Sequence, residues 1–226
     1  MESAQIRMTK DGSHTLWVPE LQESYHSFHG AVTESAHVFI NNGIDHYLQV
    51  HDVTEISVLE VGFGTGLNAL LPCAYSQKNR HRIKYTTLEP FPLEWAFLSQ
   101  LNYPDHVNHE QSQFWFKELH QTQWGQIEWL NPYFSFLKSL DPVQEHAPSG
   151  RYHICFFDAF APSKQHEIWD QKVLEVIRRG LTKSGMLVSY CAQGQFKRNL
   201  RQLGFEVETL PGPPGQKEMT RAVIQS

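Results

Sequence analysis

Long apolar segments and a leader are the first things missing from this 226-residue sequence. It contains no run of about 18 apolar residues, which excludes a membrane-spanning helix of ordinary length. The N-terminal segment MESAQIRMTKDGSH has no apolar core of the kind found in secretory signals. Cysteine is scarce, and Cys73, Cys155 and Cys191 stand far apart among apolar or small residues, which favours reduced, buried thiols. These absences predict a globular protein of the cytoplasm.

The signatures of several enzyme classes are also absent. The sequence has no G-x-S-x-G elbow and no Walker phosphate loop. The pairs His26/His29 and His106/His109 are spaced i, i+3, but neither forms an H-E-x-x-H motif or lies near paired cysteines. Cys155 stands in an apolar run, where a thiol is a poor nucleophile. We therefore expect neither a metal site nor a covalent nucleophile.

Charge is unevenly distributed around a formal net value of −5. Residues 1–170 carry 10 Lys and Arg against 20 Asp and Glu, a net charge of −10. Residues 171–226 carry 9 against 4, a net charge of +5. The basic quarter is typical of solvated helix faces, and it is also compatible with a patch that contacts phosphate groups.

Hydrophobic patterning predicts one α/β domain over residues 55–226. The predicted strands are 56–61, 83–88, 134–137, 152–157, 186–190, 205–210 and 219–224, and the predicted helices are 67–75, 93–101, 168–180 and 195–203. Strands that alternate with helices through short links predict a mostly parallel, Rossmann-like sheet of seven strands with helices on both faces. The last two strands have no helix between them, so we expect the last strand to run antiparallel.

Residues 1–54 are predicted to form a small extension packed on that domain. Its apolar runs 37–40 and 46–50 flank Asn42-Gly43, a dipeptide typical of tight turns, which predicts a β-hairpin there. Residues 102–132 lack a clear period and predict an irregular insertion.

The most informative segment is EVGFGTGLN at residues 60–68, which ends the first strand of the domain and opens a helix. Glycine at such a turn lets the backbone bend sharply and approach a ligand closely. The G-x-G-x-G spacing differs from the G-x-G-x-x-G of dinucleotide binders, which disfavours an NAD-dependent oxidoreductase. The predicted cofactor-binding residues here are Glu60, Gly62, Phe63, Gly64, Thr65, Gly66 and Asn68.

Two acidic residues follow other predicted strands. Glu89 ends the second strand, where a carboxylate can accept hydrogen bonds from both hydroxyls of a ribose. Asp158 ends the fourth strand, which we expect beside the first at the point where ligands bind in open α/β sheets. Asp158 is therefore predicted to lie at the reactive end of the cofactor, where it can orient or deprotonate an amine.

Four segments together resemble the methyltransferase domain of the MnmC-type enzymes, the tRNA 5-methylaminomethyl-2-thiouridine methyltransferases. They are 60–68, 88–93 (LEPFPL), 157–169 (FDAFAPSKQHEIW) and 187–222, which includes SYCAQGQFKRNLRQLGF and PGPPGQKEMTRA. Residues 23–27 and 34–39 resemble the N-terminal motif of the same family. The resemblance covers nearly the whole chain and implies a class I methyltransferase that uses S-adenosylmethionine.

The resemblance also implies a substrate and residue roles. The family methylates the primary amine of 5-aminomethyl uridine at the tRNA wobble position. The glycine loop would hold the methionine part of the cofactor, Glu89 the ribose, and Asp158 would face the amine. Asp141 is the nearest match to the family's adenine-side acid. The residues that would contact the substrate are Tyr25, Phe160, Pro162, Lys197, Arg198, Lys217 and Arg221.

The chain departs from the family pattern at two basic positions. Ala192-Gln193-Gly194 stands where the family has A-K-G, and Gln216 stands in a family G-K-R-E-M segment, so each site loses a cation. Some relatives are fused to a flavin oxidoreductase domain, for which 226 residues leave no room. We therefore expect a separate flavin-dependent oxidoreductase to supply the aminomethyl precursor.

Two other functions remain open from the sequence. The first is a class I methyltransferase that acts on a small molecule or a protein. The second is a cofactor-binding partner that does not catalyse, which the intact glycine loop and the presence of Asp158 disfavour.

Overall fold

The N-terminal part of the chain forms a small antiparallel sheet followed by a helical segment. The computed structural model describes residues 4–146 and 151–225, so residues 1–3 of the predicted extension lie outside it. The sheet comprises β1 (Gln5–Met8), β2 (His14–Val18) and β3 (Glu23–Ser24). The helical segment consists of α1 (Ala31–Ser35), a π-helical stretch (Ala36–Asp45) and α2 (His46–Val50).

The β-hairpin predicted around Asn42-Gly43 is therefore wrong. A hairpin exists in the extension, but β1 and β2 form it. Gly43 lies inside the helical segment, where a Cβ would come within 3.3 Å of the Phe156 ring and 3.5 Å of Val188. The glycine therefore lets this segment approach the main sheet closely. Tertiary packing outweighed the local turn signal.

The main sheet contains eight strands, which run in the order β10-β11-β9-β8-β4-β5-β7-β6. The strands are β4 (Glu55–Val61), β5 (Arg82–Leu88), β6 (Ile127–Asn131), β7 (Phe134–Ser139), β8 (Tyr152–Phe157), β9 (Leu181–Ser189), β10 (Phe205–Pro211) and β11 (Glu218–Ile224). Five neighbouring strands pair in parallel, and they are β9, β8, β4, β5 and β7. The antiparallel strands are β11, which pairs with both β9 and β10, and β6 at the opposite edge.

The predicted fold class is confirmed, with one more strand than expected. The extra strand is β6, which lies in the segment predicted to be irregular. That segment also holds a short 3₁₀ turn (Tyr103–His106) and α5 (Ser112–Gln121). Trp115, Phe116 and Leu119 of α5 are fully buried, so its aromatic residues belong to the core.

Successive residues of a strand point to opposite sides of the sheet, so the apolar strands present apolar side chains on both faces. Helices cover each face. Ile56 and Val58 of β4 pack in a core with α3 (Leu67–Asn79) and the N-terminal helical segment. Leu59 and Val61 pack in a second core with α6 (Gln171–Gly180) and α7 (Gly194–Gln202). The short helices α4 (Trp95–Leu98) and a 3₁₀ turn (His166–Trp169) lie in the loops. In the described part of the chain, no helix is long and apolar enough to cross a membrane.

Asp11 joins the β1–β2 turn to α1. Its carboxylate accepts hydrogen bonds from the Ser13 backbone at 3.0 Å and from the Thr33 backbone and hydroxyl at 2.9 and 2.8 Å. The hydroxyls of Thr9 and Ser13 also donate to it. Burial works to raise the pKa of Asp11, but these hydrogen bonds outweigh it and hold the pKa well below the usual value.

We expect Asp11→Ala to lower the free energy of unfolding by about 2–3 kcal/mol at pH 7, since hydrogen bonds to a charged group are lost. Because the pKa is lowered in the folded state, this contribution is fully present above pH about 4 and is lost progressively as the pH falls from there toward the lowered pKa. Urea unfolding at a series of pH values from 7 down to about 2 measures both effects. Asp52→Ala, at an exposed loop position, is the control, and equal losses in the two variants would contradict the assigned role.

Candidate functional site

A cavity of about 600 Å³ opens at the carboxyl ends of β4, β5 and β8. Its volume lies within the usual range for small-molecule sites. The loops that follow these three strands form its floor, and residues 23–28, Glu34, residues 142–144 and residues 215–216 form its walls. The chain runs from β4 outward through β5 and β7, then returns to β8 on the other side of β4. The cavity therefore lies at the topological switch point of the sheet.

The glycine loop after β4 contributes backbone atoms to this cavity. Gly62 has φ of +93°, and a Cβ there would lie 2.9 Å from the Asp158 carbonyl oxygen. Gly64 has φ of +48°, and a Cβ there would lie 2.9 Å from the Tyr25 ring. Both positions combine a left-handed backbone with a neighbour in close contact, so only glycine fits without a shift. The loop thus offers a ligand a cradle free of side chains.

Glu89 is held at the end of β5 by two backbone groups. Its Oε2 accepts a hydrogen bond from the Gly64 N–H at 3.0 Å, and its Oε1 accepts one from the Phe91 N–H at 2.9 Å. Burial raises the pKa of Glu89, and these backbone hydrogen bonds oppose the rise. Each carboxylate oxygen keeps a lone pair, so the group can still accept hydrogen bonds from a diol.

Asp158 lies on the floor of the cavity beside Asn68. The Asn68 amide donates a hydrogen bond to Asp158 Oδ2 at 2.6 Å. Burial raises the pKa of Asp158 to about 7, although this hydrogen bond lowers it. Asn68 Oδ1 is buried and has no hydrogen-bond partner among the described residues. The floor therefore offers a carboxyl group whose pKa lies near 7, with a buried, unpaired amide oxygen next to it.

Glu60 lies beneath the glycine loop, is fully buried and does not line the cavity. Neither of its carboxyl oxygens makes a hydrogen bond within the described residues. Burial raises the pKa of Glu60 well above the usual value, and the nearby Asp158 raises it further. A buried acid without a cation close by is relieved when a positively charged ligand binds above it.

The structure brings together most of the residues predicted around the glycine loop. The predicted residues that line the cavity are Tyr25, Gly62, Phe63, Gly64, Thr65, Asn68, Glu89, Asp158 and Phe160. The Tyr25 and Phe160 rings meet edge to face, with their centroids 4.9 Å apart. Those outside the lining are Glu60, Gly66, Pro162, Asp141 and the four basic residues. Asp141 is exposed and accepts a hydrogen bond from the Ser139 hydroxyl.

The four predicted RNA-binding cations differ in whether they are paired with a carboxylate or exposed. Arg221 is buried and pairs with Glu208 at 2.6 Å. Lys197 lies 3.3 Å from a carboxylate oxygen of Glu218. Arg198 and Lys217 are exposed. Two of the four cations are thus engaged within the protein.

Several cavity residues were not among the predicted site residues. The most prominent are His26, Glu34, Tyr190 and Gln216, which come from four separate parts of the chain. All four lie in stretches that resemble the family, namely 23–27, 34–39 and 187–222, but nothing in those stretches singled them out as cavity residues. Only folding places their side chains at the cavity.

The cavity lining is acidic. Its ionisable groups include five carboxyl groups, on Glu23, Glu34, Glu89, Asp158 and Glu167, while none of the described lining residues is Lys or Arg. An enclosure of this composition favours ligands that carry a net positive charge. S-adenosylmethionine carries a sulfonium, an ammonium and a carboxylate group and is a net cation, so its charge fits. The fit is supported by the glycine loop and the anchored Glu89 carboxylate.

Comparisons with known proteins identify the cofactor. Residues 133–225 match the model of a family described as S-adenosyl-L-methionine-dependent methyltransferase. The chain is 29% identical over 215 residues to the tRNA 5-methylaminomethyl-2-thiouridine biosynthesis bifunctional protein MnmC of Leptospira interrogans. That match covers 88% of this chain and 32% of the relative. The chain thus spans about a third of the length of the curated relative it matches.

Solved structures share the fold. MNMC2 from Aquifex aeolicus superposes with a TM-score of 0.82 at 24% identity, covering 99% of this chain and 71% of that one. Spermidine synthase from Thermotoga maritima has a TM-score of 0.53 at 10% identity, covering 98% of this chain and 71% of that one. At such identities these likenesses concern the fold alone.

Gly62→Ala is expected to weaken S-adenosylmethionine binding by about tenfold or more, because the new Cβ pushes the loop away from the Asp158 backbone. Calorimetric titration with the cofactor measures this. Gly125→Ala is the matched control, since Gly125 also has positive φ but nothing lies within 4 Å of its would-be Cβ. Both variants carry backbone strain, but only the first should lose affinity. Equal affinities in the two variants would show that the close contact is irrelevant.

Proposed function

We propose that this chain, an S-adenosylmethionine-dependent methyltransferase related to the MnmC proteins, methylates a primary amine on tRNA. The amine is the aminomethyl group at position 5 of the wobble uridine, and the product is methylaminomethyl uridine. The observation that carries this proposal is Asp158, held by Asn68 on the floor of a cavity whose described lining has no cationic side chain.

The charge of the cavity supports an amine as the nucleophile. An alkylammonium group titrates near the lysine value of about 10, so the free substrate arrives mostly as a cation. An acidic, enclosed site attracts this cation, and an anionic group in the place of the amine would be repelled. The amine must then lose one proton before its lone pair can react.

The residues of the chain supply binding, orientation and proton acceptance. The glycine loop and Glu89 hold the cofactor, which supplies an electrophilic methyl group when bound. Asp158 accepts a hydrogen bond or a proton from the amine and so aims the nitrogen lone pair, while the Asn68 amide fixes the carboxylate. Holding the two reacting groups together can lower the barrier by roughly 7–11 kcal/mol.

The tRNA itself would contact the basic C-terminal part of the chain. Arg198 and Lys217 are exposed and available to phosphates, whereas Arg221 and Lys197 are engaged by Glu208 and Glu218. A separate flavin-dependent oxidoreductase that supplies the aminomethyl precursor remains part of the proposal. The cytoplasmic location also remains a proposal. The same holds for the roles of Gly66 in the cofactor loop, of Asp141 on the adenine side of the cofactor and of Pro162 beside the substrate.

Methyl transfer from radiolabelled S-adenosylmethionine tests the substrate. The acceptor is tRNA from cells in which the wobble uridine stops at aminomethyl, and fully modified tRNA is the control. We expect label only in the former. If neither tRNA is labelled while calorimetry shows intact cofactor binding, the substrate is a small molecule or a protein instead, or the chain does not catalyse.

Asp158→Asn tests the catalytic carboxylate. The asparagine can still accept the hydrogen bond from Asn68 but cannot accept a proton, so kcat should fall about 100-fold or more. Cofactor affinity should change little, and the reverse pattern would refute the assigned role. In the wild type the rate should fall as the pH drops below about 7, because protonation removes the acceptor, and a bound sulfonium cation moves this midpoint lower.

A further inference from the structure

Glu34 is a second carboxyl group of the cavity. It belongs to α1, has only 7% of its surface exposed and lines the cavity together with Asp158. Its Oε2 accepts a hydrogen bond from the Ser27 N–H at 2.7 Å, and its Oε1 accepts one from the Gln216 amide at 2.9 Å. These contacts come from two loops far apart in sequence. Glu34 is therefore held firmly in place, but by neutral groups.

Within residues 4–146 and 151–225, no cationic side chain pairs with the Glu34 carboxylate. Burial raises the pKa of Glu34 to about 8, the Ser27 hydrogen bond lowers it, and the charge of Asp158 raises it further. The two carboxyl groups therefore disfavour each other's ionisation, as in other sites where like charges share a cavity. Without a ligand at neutral pH, the pair retains a proton. A cation placed between the two carboxyl groups would offset their mutual repulsion, so the pair would no longer retain this proton.

The other titratable groups of the cavity are less suited than Glu34 and Asp158 to bind a cation. Burial lowers the pKa of His26 to about 4, although the charge of Asp11 raises it, so His26 is neutral at pH 7. Burial raises the pKa values of Tyr25 and Tyr190, which also stay neutral. Glu89 is bound to the glycine loop, and Glu23 and Glu167 are more exposed than Glu34.

We propose that Glu34 binds the substrate amine as an ammonium ion together with Asp158, and that it releases its own proton to solvent when the ammonium enters. The inference rests on the proposed function and names the group that distinguishes an aminomethyl uridine from an unmodified one. The Asn68 Oδ1 atom, which is buried and has no hydrogen-bond partner among the described residues, lies next to the Asp158 carboxylate.

The chemical step balances with this assignment. An N–H bond of the ammonium breaks, and its proton moves to a carboxylate of the pair. The nitrogen lone pair then forms the N–CH₃ bond, and the electron pair of the broken S–CH₃ bond stays on sulfur. The product is a methylammonium cation, and the proton held by the pair leaves for solvent after release. Glu34 thus contributes mainly to binding, while Asp158 contributes to the chemical step.

Glu34→Gln tests this role with little disturbance of the structure. The glutamine Oε1 can still accept from Ser27, and the Gln216 amide can rotate so that its own oxygen accepts from the new side-chain amide. Gln216→Ala, which removes that hydrogen bond and leaves the carboxylate, separates a structural effect from a loss of charge. Glu167→Gln is the matched control, since it removes an exposed carboxylate at the rim of the same cavity.

Calorimetric binding of two tRNAs, in the presence of S-adenosylhomocysteine so that no transfer occurs, measures the effect. One tRNA carries aminomethyl at the wobble uridine and the other carries unmodified uridine. The wild type should prefer the former by roughly 10-fold to 100-fold. Glu34→Gln should lose most of this preference, whereas Gln216→Ala and Glu167→Gln should keep it. Melting temperature and cofactor affinity, measured on all variants, report whether each is folded.

The number of protons released on binding distinguishes the proposed role of Glu34 from a purely structural one, because a structural role would not change it. In buffers of different ionisation enthalpy, the wild type should release more protons with the aminomethyl tRNA than with the unmodified one. This difference should fall by most of one proton in Glu34→Gln, and in the wild type the preference should grow from pH 6 to 8.5.

A wild type with no excess proton release and no pH-dependent preference would overturn the role of Glu34, even if the variant failed to fold. A folded Glu34→Gln variant that keeps the excess proton release and the pH-dependent preference would also overturn the role of Glu34. A wild type that never methylates the aminomethyl tRNA would instead overturn the proposed function, and this inference with it.

Discussion

The parallel pairing of β4 with β8 is the constraint on which the site depends. It aligns Val61 with Phe157, so that Gly62 and Asp158 leave the sheet side by side. A Cβ at Gly62 would lie 2.9 Å from the Asp158 carbonyl, which shows how closely the two loops approach. The proposed cofactor loop and the proposed catalytic carboxylate are thus fixed by the same pair of buried strands. Loops carried by such a rigid scaffold can hold reactive groups in register.

Buried acids around this junction tie ligand binding to charge. Glu60, Glu34 and Asp158 all have raised pKa values, first because they are buried. Groups of this kind stabilise the folded protein in their protonated form and lose that contribution as the pH rises through the raised pKa. A sulfonium or ammonium ligand offsets the cost of ionising them.

Much of the fold followed from the sequence, because apolar runs and glycine punctuation report local geometry directly. The strands, the helices on both faces and the antiparallel last strand were predicted. The hairpin at Asn42-Gly43 was wrong, because a turn signal says nothing about packing, and Gly43 serves a close approach to Phe156 and Val188. The strand β6 and the helix α5 were missed, because the segment that contains them shows no clear hydrophobic period.

The sequence alone predicted that the glycine loop, Glu89 and Asp158 lie together at one edge of the sheet, and the structure places them there. Gly62, Glu89 and Asp158 each directly follow a strand, and strand ends meet at one edge of a parallel sheet. Only the tertiary structure decided which groups complete the cavity and what charge they carry there. Glu34 and Gln216 are 182 residues apart, and their contact arises when a helix and a loop close over the same edge. The pKa of a buried carboxyl group depends on its surroundings in space, which no local sequence pattern records.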